Sequence, residues 1–592
     1  MVIEIMIDDK NFDIGEKLLK VAKPGRYIGN EINMVKKDPA TVKIRFALLF
    51  PDVYEVGMSH LGLQILYFFL NRREDCYCER AFMPWSDMIR ILDDRPLWSL
   101  ETTTPLKNFD FIGFTLQHEL TFTNMLAMLD LAGIPLRSTD RDEGFPIICA
   151  GGPCSYNPEP VADFIDFFVI GDGEAILDEI MDIYNEQHSK ADFLLRISKL
   201  TGVYVPAFYR AEYDEEGLLS DFSPINSAAP PTIKKAVIQS LDTAFFPQTP
   251  LTPLIETAHN RAALELFRGC KRGCRFCQAG YTGRPIRYRK PITLLAQAKE
   301  TLQSTGHEEI SLMSLSTADY PDFMPFLDDL LAITEEKKVN ISLPSLRIDS
   351  ISIEAMQKTQ KVRKSSLTFA PEAGTNRLRR AIRKDITESD IQNGVVAAFE
   401  AGYDRLKLYF MVGLPTETYE DIDAIANTAH SIVDEYYKLP KPLRRRPPSI
   451  NISCSCFVPK PFTPFQWAAQ DTLELLMDKQ RRLKSKIQKK QISYRYHDSY
   501  TAIVEGVLAR GDRRISYAIE AAYRAGAIFD GWSEFFSLDI WKTAFAATNI
   551  NPDFYTHRER KTTELLPWDF IDIGIPKDFF VQEWEKTNEI LD

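Results

Sequence analysis

Two stretches of this chain alternate short β-rich runs with helix-period segments, and that alternation limits the fold more than any other feature. The first holds KIRFALLF (43–50), GLQILYFFLN (62–71), FDFIGFTL (109–116), NMLAMLDLAGI (124–134), PIICAGG (146–152) and FIDFFVIGDGE (164–174). It predicts an N-terminal, Rossmann-like, doubly wound parallel sheet over 41–203, whose sites lie beyond the carboxyl ends of its strands. The second holds EEISLMSL (308–315), VNISLPSL (339–346), SLTFAPEAG (366–374), RLKLYFMVGLP (405–415) and SINISCSCFVP (449–459). Repeated βα units of this kind predict a full or partial TIM-type (β/α) barrel over 259–470. Flanking these are an N-terminal extension (1–40), a connector rich in Pro, Ser, Ala and Thr (204–258) expected to be extended, and a small, mainly helical C-terminal domain (471–592). The whole reads as α/β.

Composition places the chain among globular proteins, 45% apolar and 26% charged. The N-terminus is acidic where a targeting peptide needs basic residues, and no apolar run is long enough to span a bilayer, so a cytoplasmic protein with no membrane partner is expected. There thiols stay reduced, and a cysteine cluster points to metal or redox chemistry rather than disulfides.

LELFRGCKRGCRFCQAG (264–280) puts three of the nine cysteines in one loop after the first barrel strand. The spacing C-x3-C-x2-C lets three thiolates converge on one inorganic centre with a position left open, whereas structural zinc needs four ligands. The pattern reads as an iron–sulfur site. The other cysteines, Cys76, Cys78, Cys149, Cys154, Cys454 and Cys456, read first as buried strand residues.

CKRGCRFC, with an aromatic before its last cysteine, resembles the radical S-adenosylmethionine (SAM) superfamily. PGRYIGNEIN, SLSTADY, FAPEAGTNRLRRAI, LYFMVGLPTET, FVPKPFTPFQW and RGDRRISYAIEAAY extend the resemblance to a bacterial group with an N-terminal cobalamin-binding-like domain, named by domain content. The resemblance implies a 4Fe-4S cluster on Cys270, Cys274 and Cys277, with Phe276 near the cofactor. It implies reductive cleavage of SAM to a 5′-deoxyadenosyl radical that abstracts hydrogen, with cobalamin-dependent methyl transfer as an extension. An electron donor of the flavodoxin or ferredoxin kind follows from it.

SAM contacts depart from the superfamily pattern. Ser314, Leu315, Ser316 and Thr317 stand where Gly-Gly-Glu is usual, so hydroxyls and carbonyls must replace a carboxylate. By the resemblance, Arg347 would pair the methionine carboxylate, Glu372 would accept from ribose or amine, and Gly413 and the FVPKP edge (457–461) would approach the adenine. Arg379, Arg380 and Arg383 are read as no more than solvated surface. For cobalamin, the usual Asp-x-His-x-x-Gly is replaced by EVGMSHLG (55–62), so His60 is not expected beneath cobalt. Thr115, Gly151, Gly152, Gly173 and Glu174 would contact the cofactor, and a domain without cofactor is the alternative.

Two basic runs, KLPKPLRRRPPS (438–449) and KQRRLKSKIQKK (479–490), stand out in a chain of net charge −12. They read first as solvated faces and second as contacts to phosphates of RNA or a ribosomal particle. AIFDGWSEFFSLDIW (527–541) and LLPWDFIDIGIPKDFF (565–580) are expected to pack the C-terminal domain against the barrel. An iron–sulfur protein that binds or senses RNA, with vestigial SAM turnover, is the alternative to an enzyme.

Overall fold

The structure, a computed structural model, describes residues 14–92, 96–186, 189–344, 350–359, 367–444 and 446–589. The N-terminal sheet contains β1 (Ile44–Phe50), β2 (Cys76–Phe82), β3 (Phe111–Thr115), β4 (Ile147–Gly151), β5 (Phe167–Val169) and β6 (Val203–Tyr204), in spatial order β2-β1-β3-β4-β5-β6. All neighbours are parallel except β6, which pairs antiparallel with β5. Helices α1 (Leu61–Asn71), α3 (Leu177–Glu186) and α4 (Lys190–Ile197) cover one face, and α2 (Phe122–Leu131) covers the other. With both faces covered, the strands are near-continuous apolar runs rather than alternating ones.

The connector is not wholly extended: β7 (Tyr209–Tyr213) and β8 (Leu219–Pro224) form an antiparallel hairpin. Next, β9 (Ile233–Lys234) pairs with β19 (Ile571–Asp572) near the end of the chain.

The barrel region is built from two parallel sheets in chain order. One holds β10 (Ala262–Glu265), β13 (Glu309–Met313) and β14 (Asn340–Ser342); the other holds β15 (Leu367–Glu372), β16 (Arg405–Val412), β17 (Ser449–Cys456) and β18 (Ile492–Tyr496). Outer helices include α5 (Pro291–Thr305), α6 (Phe323–Lys337), α7 (Ser350–Thr359), α8 (Asn376–Ala381), α9 (Glu388–Glu400), α10 (Tyr419–Lys438) and α11 (Leu473–Lys486). No ladder joins β14 to β15 among the described residues. Strand β18 and α11 extend this unit past residue 470, into a segment expected to be helical and separate.

The C-terminal aromatics pack differently from expectation. Between α12 (Ser499–Arg510), α13 (Ile515–Arg524), α14 (Leu538–Ala547) and α15 (Lys577–Glu589), the AIFDGWSEFF segment reaches the N-terminal domain. The Trp85 ring lies tilted against Phe529 and edge-on to Trp532, and the Phe529 amide donates to Asn124 at 2.6 Å. Only the later segment meets the barrel side, where Phe579 and Phe580 contact Tyr281 of the cysteine loop. Among the described residues, no helix is long and apolar enough to cross a membrane.

Candidate functional site: a cysteine loop facing a glycine-lined cavity

The cysteine loop is pinched at its base by a short antiparallel pair, β11 (Phe267–Arg268) and β12 (Arg287–Tyr288). Gly269 enters it at φ +88°, and a Cβ there would lie 2.6 Å from the Gly283 carbonyl, so glycine is needed. Arg284 donates to the Gly280 and Arg272 carbonyls, each at 3.0 Å, and the Tyr281 hydroxyl donates to the Gly273 carbonyl at 3.0 Å. Buried Arg275 donates to the Ala381 carbonyl at 2.7 Å and pairs with Glu583 of α15 at 3.3 Å. The loop is thereby fixed to both the barrel and the chain's last helix.

Cys270 is buried, Cys274 and Cys277 are half-buried, and all three are free thiols. The Cys270 sulfur accepts the Arg272 amide at 3.4 Å. Burial, then the neighbouring Cys274, pushes the Cys277 thiol up to about 11. Three thiolates cannot coexist there without a polycation, which is the condition an iron cluster meets. The donor set therefore fits a cluster bound by three sulfurs with one iron open. Phe276, expected beside the cofactor, packs half-buried against the central core.

The strand ends opposite the loop behave unevenly. Ser314 and Thr317 share a hydrogen bond at 3.0 Å, and Asp319 behind them receives Arg272 Nε at 2.8 Å, tying the SLSTAD turn to the cysteine loop. Ser316 and Thr317 are buried. Glu372 sits at φ +66° with its carboxyl raised by burial, partly offset by Lys384 at 3.1 Å, and it acts on Cys277 electrostatically. Arg347 lies outside the described residues. Gly413 has φ +85°, but a Cβ there would meet Leu476 at 2.9 Å, so the glycine makes room for α11. Its amide donates to Glu417 at 2.7 Å. Glu417, which no motif marks, is pushed up to about 7 by burial against the pull of Lys479. Arg379 corrects an expectation: it is 1% exposed, bonded to the Ala373 carbonyl at 2.9 Å and to Glu388 at 3.0 Å, and is no solvated surface residue.

Between the carboxyl ends of the N-terminal strands and the base of the cysteine loop lies a cavity of about 570 Å³. Thr115, Gly151, Gly152, Gly173 and Glu174, singled out by sequence, all line it, as does Ser314. A Cβ on Gly151 would have one neighbour, the Val169 carbonyl at 3.5 Å, so this glycine leaves the cavity open. The apolar residues Phe46, Leu48, Ile65 and Leu70 carry the cavity down between the sheet and α1. Its barrel-side wall includes Glu265, Arg268, Gly269 and Gln278.

Glu174 is not free within this wall. Arg268 holds Glu174 at 2.6 Å, Asp172 at 3.1 Å and Glu265 at 2.8 Å, clamping the N-terminal domain to the base of the cysteine loop. Burial pushes the Asp172 carboxyl up, but Arg268 and Arg287 beside it hold it below the usual range. Nothing in the linear spacing marks the contacts of Arg268 and Arg287 with Asp172, which lies 96 residues from the first and 115 from the second. His60 caps α1: its Nδ1 accepts the Leu63 amide at 3.1 Å, and burial lowers its imidazole to about 4. The Gln117 side chain also hydrogen-bonds the ring, so this neutral imidazole is committed to the protein around it.

Residues 62–206 match the family described as radical SAM proteins, N-terminal, and residues 264–429 match the radical SAM superfamily. The chain is a radical SAM protein. This radical SAM enzyme is 29% identical over 472 residues to uncharacterized protein MJ0966 of Methanocaldococcus jannaschii, covering 79% of this chain and 89% of that one. It is 25% identical over 170 residues to threonylcarbamoyladenosine tRNA methylthiotransferase MtaB of Treponema pallidum, covering 28% of this chain and 34% of that one. Among solved structures, the radical SAM methyltransferase TsrM of Kitasatospora setae, with cobalamin and a [4Fe-4S] cluster, aligns with a TM-score of 0.46, 12% identity, and 70% and 75% coverage of the two chains. The cobalamin-dependent enzyme OxsB, with aqua-cobalamin and SAM, aligns with a TM-score of 0.47, 12% identity, and 93% and 80% coverage.

Proposed function

We propose that the enzyme combines a 4Fe-4S cluster on Cys270, Cys274 and Cys277 with cobalamin in the adjacent cavity, and modifies RNA at an unactivated carbon. When bound, the cluster supplies the electron that cleaves the SAM sulfonium, and cobalamin supplies a methyl carrier. The observation that carries this reading is the cavity itself, which runs from the Gly151-Gly152 turn to the wall formed by Gly269 and Gln278. The chain's own residues divide the work. Arg268 and Arg287 lock the two walls together, His60 caps α1 instead of offering a lone pair to cobalt, and Gly151 keeps space for a large ligand. Ser314 and Thr317 offer hydroxyls to the methionine end of SAM, and Glu372 a carboxylate to its ribose or amine. Arg347 stays a proposal for the methionine carboxylate.

RNA as substrate is supported by the 170-residue similarity to a tRNA-modifying protein. The electron is expected from a flavodoxin- or ferredoxin-like donor. The test is anaerobic: protein reconstituted with iron and sulfide, dithionite and SAM should release 5′-deoxyadenosine. The same protein loaded with hydroxocobalamin and reduced to Co(II) should give an electron paramagnetic resonance spectrum without nitrogen superhyperfine splitting. Absence of deoxyadenosine contradicts the enzymatic part, and a nitrogen triplet that vanishes in His60→Ala contradicts the axial assignment.

A further inference from the structure

The inner face of the four-stranded barrel sheet is not a packed core. Along β16 and β17, every second residue is buried against α9, α10 and α11: Leu406, Leu408, Phe410 and Val412, then Ile450, Ile452, Cys454 and Cys456. The intervening residues are half-buried or exposed, and most are polar. In a closed barrel such positions are filled with branched apolar side chains. Here Thr368, Lys407, Asn451 and Ser493 form one row across the four strands, and Tyr409, Ser453 and Arg495 form the next row toward the mouth. The Lys407 ammonium rests 4.6 Å from the Tyr409 ring centre, which brings a cation and an aromatic surface together. Among the described residues, neither Lys407 nor Arg495 has a carboxylate within ion-pair distance, although the chain is acidic.

The obvious basic segment contrasts with this. In KQRRLKSKIQKK, Lys479 is buried against Glu417 and Asp471, Arg482 and Lys486 pair with Asp423, and Lys489 pairs with Asp434. That run spends most of its charge on α10 and the turn before it. Lys407 and Arg495, by contrast, lie on the inner face of the sheet.

We propose that this concave face binds single-stranded RNA, with Lys407 and Arg495 on phosphate oxygens, Tyr409 stacked beneath a base, and Ser453 and the Asn451 amide nitrogen, whose Oδ1 accepts from Ser493, available to base edges. The inference rests on the RNA-directed reading above and gives it a location. Four strands spaced about 4.8 Å apart make a face roughly 14 Å wide, broad enough for a nucleotide. Cations paired with an aromatic ring on an open sheet are the chemistry that recognises unpaired bases and their backbone. A polyanion also answers the charge imbalance, and among the described residues β18 pairs only with β17, leaving an open edge where a strand can enter.

The test uses the full, cluster-loaded chain and fluorescein-labelled 12-nucleotide oligouridylate and oligoadenylate, read by anisotropy across a salt series. The Lys407→Gln, Arg495→Gln double variant should bind at least about tenfold more weakly, with a log–log salt slope smaller by roughly 1.4 for two lost phosphate contacts. Lys407→Arg with Arg495→Lys should keep the slope. Tyr409→Leu should lose about fivefold or more and Tyr409→Phe little, as stacking requires. Lys484→Gln with Lys490→Gln, on the exposed side of the basic run, should leave binding unchanged. Equal loss in that outer pair, or parental affinity in the Lys407, Arg495 double variant, overturns the proposal. A parent that forms deoxyadenosine but binds neither oligonucleotide overturns this inference alone. RNA binding without deoxyadenosine overturns the enzymatic reading alone.

Discussion

The two parallel sheets solve the same packing problem in opposite ways. In the N-terminal sheet every residue of β2, β3 and β5 is buried, because helices lie on both faces. In β16 and β17 burial alternates, because helices cover one face and mostly polar, half-buried side chains line the other. The first sheet can present chemistry only at its carboxyl ends, where the cavity lies. The second carries polar side chains along its length, the face proposed above for RNA. The cysteine loop sits between these arrangements, fixed to both.

The largest effect should come where the two meet. Replacing any one of Cys270, Cys274 or Cys277 with Ala should remove most of about four irons per chain and abolish 5′-deoxyadenosine formation. Iron analysis and product chromatography check this, and a variant retaining full iron would remove that cysteine from the ligand set. Within the sheets, neighbouring residues should differ in one and agree in the other. Phe167→Ala and Phe168→Ala face opposite sides of β5, and each should cost about 3–5 kcal/mol. On β16 and β17, Leu408→Ala should cost about 2–5 kcal/mol, whereas Ser453→Ala should stay within about 0.5 kcal/mol. Denaturant titration reads both pairs; a costly Ser453→Ala would mean that the inner face is packed after all.

A smaller effect is pH-dependent and belongs to the covered sheet. His60 titrates near 4 when folded and 6.5 when unfolded. The unfolded chain therefore binds more protons between those values, and stability rises with pH across that window. The contribution is fully present above about pH 6.5 and is lost as pH falls toward 4. His60→Asn, which can still cap α1, should flatten this dependence in melts compared at pH 5 and pH 7. An unchanged slope would show that the imbalance lies elsewhere.

The sequence made some of this legible and hid the rest for physical reasons. The cysteines are close in the chain because one loop must supply all three sulfurs, and Thr115, Gly151, Gly152, Gly173 and Glu174 could be picked because a doubly wound sheet has only one working end. Strand β18 was hidden because ISYRY is only five residues long and lies just after a basic helix, within a stretch read as helical throughout. Arg379 looked solvated because its partners, the Ala373 and Gly374 carbonyls and the Glu388 carboxylate nine residues on, follow no spacing that a pattern marks. The Arg268 clamp joins residues far apart in sequence. Gly413, read as an approach to adenine, adopts φ +85°, which by itself favours glycine.

The most direct test of the account fills the cavity without touching the cysteines. Gly151 has ordinary backbone angles and a Cβ direction with no side chain in contact, so Gly151→Phe places a ring in the space assigned to cobalamin. After anaerobic loading with hydroxocobalamin and gel filtration, the parent should carry about one cobalt and about four irons per chain, and Gly151→Phe should keep the iron and lose the cobalt. Cobalt retained by both proteins, or by neither, would contradict the assignment of this cavity.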